Sequence, residues 1–92
     1  MILDLSHLSV EQDFGAFCEV DARKDVANAI HRGTSDIGVD DFARKLYYSV
    51  GTVDVPAHMA REISNVVAHS ALVAYVKRAV LDALQGKEVA DR

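Results

Sequence analysis

Four histidines and a single cysteine are the side chains with the most obvious chemical reach in this 92-residue sequence. His58 and Glu62 stand four residues apart, a spacing that places both on one face of a helix, where an imidazole and a carboxylate could share a metal ion. His69 would fall about 20° round the same face if that helix ran unbroken. No His-Glu-x-x-His, no Cys-x-x-Cys and no second carboxylate completes the set. Solvated or hydrogen-bonded histidines are therefore expected, and neither a metal nor a cofactor is predicted.

The acidic stretch Asp36-Ile37-Gly38-Val39-Asp40-Asp41 has the outline of a calcium loop, but its glycine falls at the third position and Tyr47 occupies the twelfth, where a carboxylate is required. Helix capping explains these acids without an ion. Cys18 falls on the expected inward face of a strand. His7, on the facing strand, is a conceivable activator, yet a small buried apolar group is the better reading of this thiol. Gly15, Gly33, Gly38, Gly51 and Gly86 each mark an element boundary, and none belongs to a phosphate-binding loop. No catalytic residue is assigned, and the chain is not expected to be an enzyme.

These side chains need elements to hold them. Residues 2–20 read as a β-hairpin: Phe14, Ala16, Cys18 and Val20 alternate with Gly15, Phe17 and Glu19, and Glu11, Gln12 and Asp13 supply the turn. The alternation of the first strand slips near Ser6 and His7, which suggests a bulge. Asp21 offers an N-cap to a helix over about 22–32, closed by Gly33 in the left-handed conformation. A second helix, about 39–49, carries Val39, Phe42, Ala43, Leu46, Tyr47 and Val50 on one stripe, with Asp40 and Asp41 at the favourable end of its dipole. Val53 and Val55 flank Asp54 in a linker or short strand, and Pro56 suits the first position of a third helix, about 57–68.

From there to Leu84 the sequence is helix-compatible throughout. One helix of about 30 residues would be about 45 Å long, too long for a globule some 32 Å across, so a break is expected at 68–70. Ser70 would then cap a fourth helix, about 71–85, closed by Gly86. The whole reads as a single domain over 1–86 with a flexible polar tail at 87–92.

Composition narrows the function classes. Half the residues are hydrophobic and 26% are charged, which excludes disorder and fibrous repeats. The net charge of −4 is uneven: ten acids against five basic residues before position 56, four against five after it. Without a basic patch, binding to nucleic acid or to an anionic membrane is disfavoured. The longest uncharged apolar run, about 66–76, is too short to span a bilayer. One cysteine cannot make an internal disulfide, and the first seven residues lack a positive region, so a reducing cytoplasm is the expected location.

The runs Asp25-Val26-Ala27-Asn28-Ala29-Ile30, Thr34-Ser35-Asp36-Ile37-Gly38, Asp41-Phe42-Ala43-Arg44-Lys45-Leu46-Tyr47 and Val53-Asp54-Val55 resemble a pattern in small proteins of tailed phages and prophages. The closing apolar helix with its basic pair, Lys77 and Arg78, is similar too. The likeness is mainly confined to residues 21–55 and contains no catalytic signature. It implies residence in a bacterial host cell and brings no activity or site residues.

The expected fold is α+β and mainly helical, an N-terminal hairpin packed on about four short helices. Its expected core is Phe14, Val20, Val26, Ile30, Phe42, Leu46, Ile63, Val67, Leu72, Val76 and Val80. The fourth helix is apolar around so much of its circumference that it must be central or face a partner. The expected function is therefore that of a non-enzymatic accessory protein working through protein–protein contact or self-association, for instance as a homodimer. Its surface would comprise Tyr48, Val73, Lys77, Arg78, Leu81 and Leu84. The alternative is a small DNA-associated regulator, since two short helices joined near a glycine outline a helix-turn-helix. A long connection from Gly33 to Gly38 and the acids Asp40 and Asp41 argue against it.

Overall fold

Helix periodicity and side-chain capping decide the middle of the chain. Helix α1 (Arg23–Gly33) buries Val26, Ala27, Ala29 and Ile30, and helix α2 (Ile37–Tyr47) buries Val39, Phe42, Ala43 and Leu46. The two pack on each other. The computed structural model describes residues 1–86 in full, so the tail expected at 87–92 lies outside the described residues.

Helix α2 starts two residues earlier than its apolar stripe suggests. Asp36 is its N-cap, with Oδ1 accepting from the backbone N–H of Gly38 at 2.7 Å and of Val39 at 3.2 Å. Two satisfied N–H groups outweigh the poor helix propensity of Gly38. The same helix ends at Tyr47, so Val50 leaves the buried stripe and is fully exposed. Arg23 contributes to that end, its guanidinium donating to the carbonyl of Ser49. Asp21 does not cap α1: the N-cap is Ala22, and the Asp21 carboxylate instead receives the Arg23 backbone N–H and guanidinium.

Gly33 is helical, not left-handed; among the described residues only Gly15 and Gly86 have positive φ. Its role is close approach. A Cβ at Gly33 would sit 2.8 Å from Val66 Cγ1, so the bare backbone lets α1 approach helix α3 (Ala57–Ala68).

The expected N-terminal hairpin is two separate pairings. The slip near Ser6 and His7 is a break: strand β1 (Ile2–Asp4) ends in a turn where Asp4 Oδ1 accepts from both the N–H and hydroxyl of Ser6. Strand β1 then pairs antiparallel with strand β4 (Thr52–Asp54), 50 residues away, with Leu3 opposite Val53. Strands β2 (Leu8–Asp13) and β3 (Ala16–Val20) form the hairpin, with Leu8 opposite Val20 and Val10 opposite Cys18 on the inward face. Its turn is Phe14-Gly15, not Glu11-Gln12-Asp13, and Gln12 is the extra residue of a bulge.

The break expected after α3 is present, with His69 as its C-cap. The longest dimension of the molecule is 38 Å, shorter than the roughly 45 Å of one continuous helix. Helix α4 (Ala74–Leu84) begins three residues later than expected, with Val73 as N-cap and no side-chain cap. Ser70 finishes α3 instead, its hydroxyl donating to the carbonyl of Val67 at 2.7 Å. Pro56 is likewise the N-cap of α3, one residue outside it.

The fold is thus mainly helical α+β with strands at the N-terminal side. Its core runs from Leu3, Leu5, Leu8 and Val10 through Val26, Ile30, Val39, Leu46 and Val55 to Ile63, Val67 and Val80. Of the expected core, Val20, Leu72 and Val76 are half-buried against it, and Phe14 is outside. Helix α4 packs on both α3 and β2.

Candidate functional site

Phe14 occupies the first position of a tight two-residue turn, and that decides its environment. Gly15 takes φ +80°, a conformation an L side chain rarely adopts, and Glu11 Oε2 accepts the Gly15 N–H at 2.8 Å to close the turn. The strand alternation that would have carried Phe14 inward stops at Ala16. Phe14 is fully exposed as a result, which forgoes about 1.5–3 kcal/mol of burial.

The turn overhangs the beginning of α4. Glu11, Gln12, Asp13 and Phe14 on one side and Ala74, Tyr75 and Arg78 on the other enclose a groove of about 580 Å³. Val73, 54% exposed, immediately precedes Ala74. The groove thus has one aromatic residue on each side, Phe14 and Tyr75, with Glu11 and Asp13 on the hairpin side and Arg78 on the helix side. Glu11 is engaged with Gly15. Neither Asp13 nor Arg78 makes an ion pair or side-chain hydrogen bond among the described residues.

The six residues proposed from sequence divide unevenly around this groove. Arg78 lines it, whereas Val73 is exposed but is not among the lining residues. Lys77 is half-buried, and its Nζ donates to the carbonyl of Ala68 at 3.2 Å, fastening α4 to the end of α3. Leu81 packs against the core, and Leu84, at 7% exposure, is part of it. Leu84 is thereby corrected from surface to core: β2 and α3 both pack on α4 and cover a face that a helix considered alone leaves bare. Tyr48 is 75% exposed but sits on Tyr47, edge to face at 4.9 Å, and does not line the groove. No family model, curated protein or solved structure matches this chain.

The remaining chemical candidates do not converge. His58 and Glu62 are both exposed, and no group of three or more His, Cys, Asp or Glu side chains that could hold a metal occurs among the described residues. His7 faces Glu19 at 3.8 Å on the outer side of the hairpin, whereas Cys18 is half-buried on the other side with its Sγ donating to Gln12 Oε1 at 3.4 Å. His31 Nδ1 meets Asp40 Oδ1 and joins the last turn of α1 to the first turn of α2. His69 Nδ1 contacts the Asn65 carbonyl one turn back. No described helix is long and apolar enough to cross a membrane.

Sequence reasoning missed Phe14 by counting it inward with Ala16, Cys18 and Val20. The signal was present in Asp13-Phe14-Gly15, because glycine two residues after an aspartate marks a tight turn.

Proposed function

We propose that this chain is a non-enzymatic binding protein whose contact surface is the β2–β3 turn together with the first turns of α4. The observation that supports this reading is the exposure of Phe14 on a groove that Tyr75 and Ala74 also line. A solvent-facing aromatic flanked by a groove and by charges of both signs has the make-up of an interface centre: an apolar anchor, a receptive pocket and a polar rim. Catalysis would need convergent polar groups with a nucleophile or base, and those described above are scattered over separate faces. The resemblance to small phage proteins supports a setting in the cytoplasm of a bacterial host, where such accessory proteins act by contact.

The test uses Val50, which is likewise fully exposed, as an internal control. A photo-reactive phenylalanine analogue is placed at position 14 or at position 50, and the protein is irradiated in bacterial cells. A discrete covalent adduct with a polypeptide from position 14, absent from position 50, supports the reading. Equal labelling from both positions, or from neither, overturns it.

The DNA-associated alternative gains one observation. Helices α1 and α2 are joined by only three residues, 34–36, so the connection is not too long for a helix-turn-helix. The leading turn of α2 still presents Asp36, Asp40 and Asp41, which repel phosphate. Retention of the protein by duplex DNA at low salt, lost on adding salt, would favour this second reading.

A further inference from the structure

We propose that the groove at the hairpin tip receives a second copy of this chain, forming a two-fold dimer in which each Phe14 enters the groove of the other molecule and each Asp13 faces the other's Arg78. The inference rests on the reading of this surface as a binding site and names its occupant.

The argument is one of self-complementarity. A two-fold interface brings the same patch of both molecules together, so the patch must carry both halves of every contact. This one does. It holds a projecting ring, Phe14, and next to it an aromatic-lined recess at Tyr75 and Ala74. It also holds an acid and a base, Asp13 and Arg78, which line opposite sides of the groove and make no ion pair among the described residues. A two-fold rotation exchanges the walls and gives each charge a partner of opposite sign. A wholly acidic or wholly basic groove would instead repel its own copy.

The size of the surface sets the strength. Two buried phenylalanines supply about 300–500 Å², against roughly 1,600 Å² for a standard stable interface. Val73, Ala74, Tyr75 and the stem of Arg78 must provide the remainder. An interface whose anchors supply so little of the standard area makes a weak dimer.

Sedimentation equilibrium across a concentration series is the test, with circular dichroism to establish that each variant is folded. The wild-type chain should pass from monomer to dimer, and Phe14→Ser should weaken association at least about tenfold. Asp13→Arg alone and Arg78→Asp alone should each remain monomeric, because each places like charges face to face. Mixing these two variants should restore a dimer, since in the mixed species both contacts become opposite-charge pairs. Wild-type protein that remains monomeric at about 1 mM overturns the proposal, as does a mixture no more associated than its components. If the dimer fails while the photo-adduct from position 14 persists with another polypeptide, the occupant is wrong and the binding surface stands. If both fail, the surface falls as well.

Discussion

Helices α1 and α2 and the hairpin–α4 region use similar residues to opposite ends. In the first, the apolar stripes close on one another: Val26, Ile30, Val39, Phe42 and Leu46 are all buried, and Asp36 is consumed as a cap. In the second, β2 packs on α4, yet Phe14 and Val73 remain outside, and Asp13 and Arg78 make no ion pair among the described residues. The contrast teaches that apolar residues stay exposed at the ends and turns of elements, Ile37, Tyr48 and Val50 about α2 as well as Phe14 and Val73 by α4, and not along the most apolar helix. A helix is finished by what packs on it, and the leftover appears where an element ends or turns back.

This contrast can be broken most forcefully in the core. Leu46→Ala, at a position with no exposure, should cost about 2–5 kcal/mol in chemical unfolding, whereas Phe14→Ala should change stability by no more than about 0.5 kcal/mol. Equal losses would place Phe14 in the folding core and end the distinction. Next in size is Gly33→Ala. Relief from glycine in a helix would add roughly 1 kcal/mol, but the new Cβ would press on Val66 Cγ1, and such overpacking costs about 1–3 kcal/mol. Net destabilisation is expected, and a rise in the melting temperature would show that α1 and α3 are not in close contact. Asp36→Ala should remove about 1 kcal/mol through the lost N-cap, while Asp13→Ala, which caps nothing, should be close to neutral.

The smallest effect concerns acid. The Arg23 side chain, donating to the Asp21 carboxylate, holds its pKa down at about 2 from an ordinary 3.8. A carboxyl group lowered on folding contributes stability above the unfolded pKa and loses it as pH falls through the folded one. Asp21 should therefore support the fold at neutral pH and cease to do so between about pH 4 and pH 2. Asp21→Asn should be less sensitive than wild type over that window in acid unfolding, and an identical profile would show that the pairing contributes nothing.

How much of this was legible in the sequence follows from how local each decision is. The α1 and α2 stripes, the break after α3 and the closing role of Gly86 depend on neighbours within a few residues, and periodicity with steric preference reveals them. The short strand at 52–54 was legible as extended, but its partner was not. Pairing β1 with β4 is a contact across 50 positions, and nothing in Ile2-Leu3-Asp4 names Thr52-Val53-Asp54. Strand period alone carried Phe14 inward, because a two-residue shift in the turn changes where alternation stops. Leu84 was misplaced for a related reason: whether an apolar residue of α4 faces solvent depends on where β2 and α3 lie. Of the groove only Arg78 was legible, since it could be drawn from α4 by itself, while Asp13 and Phe14 reach it only through the tertiary fold.

The central claim is that a second copy of the chain docks at the hairpin tip and the start of α4, and not on α2. Backbone amide NMR spectra of the wild-type protein recorded from about 10 μM to about 1 mM test it residue by residue. Concentration-dependent shifts should cluster at 12–15 and 73–78 and leave Ile37, Tyr48 and Val50 unmoved, exposed though all three are. Shifts centred on α2, or a spectrum that does not change with concentration, would contradict the account.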